Sequence, residues 1–113
     1  MRYALLICND ETEAISPDDQ SARLAAVGVY AGQLRSSGVM EAGARLRPTS
    51  TATTVRVREG DLVIADGPFT ETKEQIAGFF LVECEDLDEA IEIAAGIPVA
   101  EYGTIEVRPV WEV

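Results

Sequence analysis

Two short runs of the chain are apolar at almost every position: "YALLIC", Tyr3 to Cys8, and "AGFFLVEC", Ala77 to Cys84. Neither shows helical spacing or one-sided alternation, so both are read as strands buried on two faces. A strand of that kind belongs in the middle of a sheet, and each face of the sheet must be covered. The whole chain has 113 residues, which suits one domain spanning 1–113 that buries roughly 60 to 70% of its unfolded surface.

What lies between the two runs supplies the rest of the sheet and one of its covers. After "NDETEAISPDDQ", Ser16 is placed as an N-cap, Pro17 at the first helical position, and Asp18 and Asp19 in the first turn, where the helix dipole favours anions. Leu24, Val27, Ala31 and Leu34 follow as a buried stripe, and Ser36-Ser37-Gly38 ends the helix. Val39 to Leu46 is a weaker strand that Gly43 is expected to bend or bulge. "TVRVREGDLVIA" alternates and predicts a hairpin turning at Glu59-Gly60, which sets Arg58 against Asp61, Val57 against Leu62 and Val55 against Ile64.

After the second apolar run, Asp86 with Glu89 forms a capping box for a helix striped by Leu87, Ile91 and Ala94 and stopped by Gly96 and Pro98. "GTIEVRPVWEV" closes the chain as a strand whose apolar face is Ile105, Val107, Pro109 and Trp111; Pro109 argues for an edge or a strand end. The order is a split βαβ pattern with an inserted hairpin: an α+β, ferredoxin-like βαββαβ sandwich. The two apolar strands fall at its centre. Both helices cover one face, so apolar residues on the other, read as Leu6, Phe80 and Val82, need a second cover, most simply a second subunit.

Charge narrows the partners. Residues 1–60 hold seven basic and seven acidic side chains and residues 61–113 hold two and thirteen, net 0 and −11. Nucleic acid and anionic membrane surfaces are disfavoured for so acidic a chain. No apolar run approaches the ~20 residues of a membrane span, and the first is too short for a signal-peptide core, so a cytoplasmic protein is expected. Cys8 and Cys84, each inside an apolar run, read as core thiols.

The chain has no histidine, which removes the commonest general base and the usual ligands of zinc or non-haem iron. No Gly-rich phosphate loop is present, and no cofactor is expected. Polar chemistry concentrates in "ADGPFTETKEQ". On the structural reading, Asp66 ties down the Gly67-Pro68 turn, Phe69 plugs the core and Thr70 caps a short helical turn running to Gln75. On the functional reading, a partly buried Asp66 acts as acid or base, and Thr70, Lys73 and Arg108 hold a small anionic ligand. Asp66, Glu71 and Glu74 also offer carboxylates to a divalent cation, but at a spacing that matches no known loop, so no metal is assigned. Arg108 is otherwise an ion-pair partner for Glu106 or Glu83. Arg45 and Arg47, if extended, point one way as an anion site or a solvated face.

Several of these segments, "MRYALLI", "PTSTATTVRVREG", "ADGPFTETKEQIAGFFLVE", "DLDEAIEIAAGIP" and "IEVRPV", together resemble the DGPF-domain branch of the YCII-related proteins, with Asp66-Gly67-Pro68-Phe69 as the four naming residues. The resemblance implies a dimeric α+β barrel type of ferredoxin-like fold. It implies no assigned reaction; some members of the branch occur with extracytoplasmic-function sigma factors, which suggests a sensing role. Related proteins carry a His-Asp pair in a cleft, and a few act on lactones. Without histidine that pair is not carried over, and Asp66 is its one positional counterpart. The functional expectation is a dimeric small-ligand-binding or sensing domain; the alternative is a cofactor-free isomerase, lyase or hydrolase using Asp66.

Overall fold

A computed structural model of the chain describes residues 1–112. Strand β1, Arg2–Asn9, leads through a loop into helix α1, Pro17–Ser36, and strand β2, Met40–Arg45. A 3₁₀ turn at Thr49–Thr51 precedes the hairpin of β3, Thr53–Arg58, and β4, Asp61–Asp66. Then come β5, Gln75–Glu83, helix α2, Leu87–Gly96, a 3₁₀ turn at Pro98–Glu101 and β6, Thr104–Pro109. Four strands form an antiparallel sheet in the order β2-β5-β1-β6, and β3-β4 pair apart from it. This is the ferredoxin-like α+β arrangement with an inserted hairpin, and the two apolar runs are its central strands.

Local chemistry sets the helix ends. The Ser16 hydroxyl accepts from the Asp19 amide at 3.1 Å, and Pro17 opens α1. Past Ser37, Gly38 takes φ +78, and the Val39 and Gly38 amides return to the Leu34 and Arg35 carbonyls, the paired bonds of a Schellman ending. The Asp86 carboxylate accepts from the Glu89 amide at 2.9 Å, while the Glu89 carboxylate reaches the Glu85 amide at 3.3 Å, one residue before the position a capping box would use.

The core lies between the sheet and the helices. Tyr3, Leu5 and Ile7 of β1 and Phe80 and Val82 of β5 point into it, with Ala31, Leu34, Ala90, Ile93, Ala94 and Ile97 from the helical side. Leu5 pairs with Phe80 and Leu6 with Phe79, so the open face carries Leu6, Phe79, Leu81 and Ala4. The expectation that Phe80 and Val82 face outward with Leu6 is therefore corrected. Both strands are apolar on both sides and carry no mark of which side the helices take.

Three smaller expectations also change. The β2 irregularity falls between Met40 and Ala42, not at Gly43. A Cβ at Gly43 would crowd the Phe79 carbonyl at 3.1 Å and the Phe80 ring at 3.2 Å, so glycine answers to close packing there. The buried stripe of α2 is Ala90, Ile93 and Ala94, with Leu87 and Ile91 half exposed. Trp111 lies past the end of β6 and is exposed, since Pro109 ends the strand; the expected strand's last residue, Val113, lies outside the described residues.

Cys84 donates its amide to Met1 at one end of the β1–β5 pair, whereas Cys8 stands beside Ile76 at the other. About eight residues of β5 and the position after it, roughly 25 Å of strand, separate them. Both are free thiols, and burial pushes both up in pKa, so neither is a ready thiolate.

Candidate functional site

Helix α1 does not lie flush on the sheet. Between them is a cavity of about 410 Å³, in the lower part of the range for small-molecule sites. Its sheet side is formed by Ile7, Gly43, Gly78 and Phe80, and its helix side by Leu24, Val27, Gly28 and Ala31. A Cβ at Gly78 would meet the Ala44 carbonyl of β2 at 2.7 Å, so glycine there lets the two floor strands approach closely. On the helix, a Cβ at Gly28 would meet nothing within 4 Å, which leaves open space beside it.

The rim is cationic. Arg23, Arg35 and Arg45 stand around it, with Glu11 as the acidic residue of the lining. Glu11 is committed elsewhere: its carboxylate accepts from the Thr49 amide at 2.9 Å and from the Thr49 hydroxyl, tying the β1–α1 loop to the 3₁₀ turn after β2. Arg23 is also fixed, donating to both oxygens of Glu13 at 3.1 and 3.2 Å while its guanidinium lies 3.7 Å from the centre of the Tyr102 ring. Among the described residues Arg35 and Arg45 have no ion-pair partner. Burial raises the Tyr102 phenol's pKa, with nearby Arg23 pulling the other way, so it is a neutral wall and not a base. The cavity thus offers apolar surface, two uncommitted guanidinium groups and no group placed to move a proton.

A second cavity of about 500 Å³ lies across Leu46 and Pro48 from the first. Arg47, Thr49, Phe69, Thr70 and Gln75 are among its walls. Arg45 and Arg47 therefore serve different cavities and do not form one anion site.

The residues singled out from sequence fall in several places. Thr70 lines the second cavity. Asp66 ends β4 opposite Thr53, is exposed, and lines neither cavity; the partial burial expected of it is not found in the single chain. Lys73 is exposed in the loop before β5. Arg108 lies on the open sheet face and pairs with Glu106 at 3.6 Å, one of the two ion-pair partners expected for it. The Gly67 turn is held by its amide on the Ala52 carbonyl and by the Thr54 hydroxyl on the Gly67 carbonyl, not by Asp66. Phe69 is 73% exposed beneath the Arg56 guanidinium and does not plug the core. No helical turn follows Thr70; the Gln75 side-chain Nε2 instead donates to the Thr70 and Thr72 carbonyls. Among the described residues no three acidic, Cys or His side chains cluster as metal ligands.

The pattern of the YCII-related domain matches residues 1–113. The chain belongs to the YCII-related family. It is also 39% identical to an uncharacterized protein, R00369, of Rhizobium meliloti strain 1021, over 96% of this chain and 91% of that protein. No helix among the described residues of this YCII-related domain is long and apolar enough to cross a membrane.

Arg35 was not legible as a site residue, though one signal pointed to it. The stripe Leu24, Val27, Ala31, continued by one turn, reaches Arg35 as readily as Leu34. Gln20, Leu24, Val27, Gly28, Ala31 and Arg35 are one face of α1, and all line the cavity.

Proposed function

We propose that this chain is a small-ligand-binding domain, dimeric through the open face of its sheet, whose ligand is a small organic anion with an apolar body. The observation that carries the reading is the α1–sheet cavity with apolar walls and uncommitted Arg35 and Arg45 at its rim. Carboxylate or enolate oxygens suit the bidentate geometry of arginine, and the hydrocarbon part replaces water against Leu24, Val27 and Phe80. Binding, not turnover, is the better supported activity, because the carboxylate of the lining is held by Thr49. A sensing role, with a link to sigma-factor regulation, is what the DGPF resemblance adds.

Thermal unfolding against a panel of aliphatic and aromatic monocarboxylates tests this. At one hundred times Kd a ligand adds about 2.7 kcal/mol, on the order of 10 °C for a domain of this size. Arg45→Met and Gly28→Leu should each remove the shift, the first by taking away charge and the second by filling the cavity, while Gly32→Ala on the same helix should retain it. A panel without any shift, or a shift indifferent to both variants, would sink the reading.

A second reading places the ligand at the Asp66 to Glu74 loop, with Thr70, Lys73 and Arg108 as binding groups. The second cavity, which Thr70 lines, favours it. Its enzymatic form, a cofactor-free isomerase, lyase or hydrolase with Asp66 as acid or base, requires a second copy to enclose Asp66, which is exposed in the single chain.

A further inference from the structure

The β3–β4 hairpin stands away from the body. The chain measures 46 × 44 × 20 Å with a radius of gyration of 15.9 Å, against about 13 Å for a globular chain of its length. The antiparallel register puts Val55 opposite Ile64 and Val57 opposite Leu62, so these four side chains share one hairpin face. Each is between 60% and 63% exposed. Together they leave roughly 400 Å² of contiguous apolar surface bare, a size at which a patch marks an interaction site. The opposite face mixes Thr54, Arg56, Arg58 and Asp61 with Val63 and Ala65, and is the more polar of the two.

We propose that this hairpin is a dimerisation arm whose apolar face packs on a second copy of the same chain. The inference rests on the homodimer reading above and specifies what completes it. A two-stranded hairpin alone is marginal in water, so an arm with this composition needs a cover that is always at hand. A copy of the chain meets that need at fixed stoichiometry. Charge points the same way. The net charge of −11 lies wholly in residues 61–113, so two copies repel least where they meet through uncharged side chains, and Val55, Val57, Leu62 and Ile64 offer such a surface. A basic partner would be drawn to the acidic surface instead. The area is also sufficient: two arms related by a two-fold axis contribute roughly 800 Å², and the two open sheet faces supply the remainder of the ~1,600 Å² typical of a stable interface.

Sedimentation equilibrium across a concentration series tests the arm. Wild type should be a dimer, and Val57→Lys/Leu62→Glu should dissociate at least 100-fold more readily with unchanged far-UV circular dichroism. The introduced charges face each other across the ladder and keep the hairpin paired. Val29→Asp, on the exposed side of α1, should stay dimeric. A double variant as dimeric as wild type overturns the arm. If Ala44→Glu on the open sheet face dissociates while the double variant does not, the sheet-face homodimer stands and the arm alone falls. A monomeric wild type overturns both.

Discussion

The Tyr30 ring lies against Gly96, and its hydroxyl donates to the Ile93 carbonyl at 2.7 Å. A Cβ on Gly96 would overlap the phenol oxygen, so the glycine is the notch that lets α1 and α2 approach. Helix propensity alone favours Gly96→Ala by about 1 kcal/mol. Displacing Tyr30 should outweigh that gain and leave the variant less stable by about 1 to 3 kcal/mol in urea unfolding. Tyr30→Phe should cost about 1 kcal/mol in the wild-type background and less in the Gly96→Ala background, because the bond to Ile93 is already disturbed there. A more stable Gly96→Ala protein would mean that the notch carries no packing role.

The turn of the arm holds a residue under conformational cost. Glu59 has φ +51 and Gly60 φ +82, the two left-handed positions of a two-residue hairpin loop. Glutamate adopts that region reluctantly, whereas asparagine tolerates it. Glu59→Asn should stabilise the hairpin by about 0.5 to 1 kcal/mol. Hydrogen exchange at the β3 and β4 amides reads a change confined to the hairpin better than global melting, as protection raised about two- to fivefold. Unchanged protection would show that the loop already relaxes its strain in another way.

That hairpin was legible in the sequence down to its register, since alternation and a Glu-Gly turn specify pairing locally. The caps at Ser16 and Asp86 were legible for the same reason. Side choice was not: Phe79 and Phe80 are adjacent and equally apolar, and only the docking of the helices decides which one is buried. The phase of α2 failed likewise, because Leu87, Ile91 and Ile93 offer two stripes of similar quality. The α1–sheet cavity depends on Gly43 and Gly78 from two strands facing Gly28 on a helix, a coincidence of positions far apart in the chain. Asp66 drew attention as a charged residue beside a glycine-proline turn, which by itself says nothing of burial.

Acid should weaken the seam between the first strand and the segment after the last. Glu112 is held below the ordinary glutamate range chiefly by hydrogen bonds from the Arg2 side chain, with Nε and Nη2 each 3.1 Å from a carboxylate oxygen. With the folded value below the unfolded one, the pair's stabilisation is present above the unfolded value of about 4.3 and is lost as pH falls through the folded value. Both groups are exposed, so the effect is small and weakened by salt. Urea unfolding of wild type and Arg2→Met should differ at pH 6, and the difference should shrink as pH falls below about 4.3. A difference that persists undiminished to pH 3 would assign Arg2 another role, such as its 3.8 Å approach to Glu41.

Asp66 and Arg45 separate the two ligand readings. The Asp66 side chain is exposed and makes no hydrogen bond or ion pair among the described residues, so Asp66→Asn should leave stability within about 0.5 kcal/mol. Arg45 is likewise exposed and free of ion pairs, and Arg45→Met should be as mild. Any effect of either substitution on a carboxylate-induced melting shift then reports on the ligand and not on the fold. Loss of the shift with Arg45→Met alone places the anion under α1. If Asp66→Asn removes the shift and Arg45→Met retains it, the ligand belongs to the Asp66 loop, and the exposed carboxylate must be enclosed by a second copy. Mixing Asp66→Asn chains with Lys73→Met chains would then restore one site in each mixed dimer only if a site draws its Asp66 and its Lys73 from different protomers.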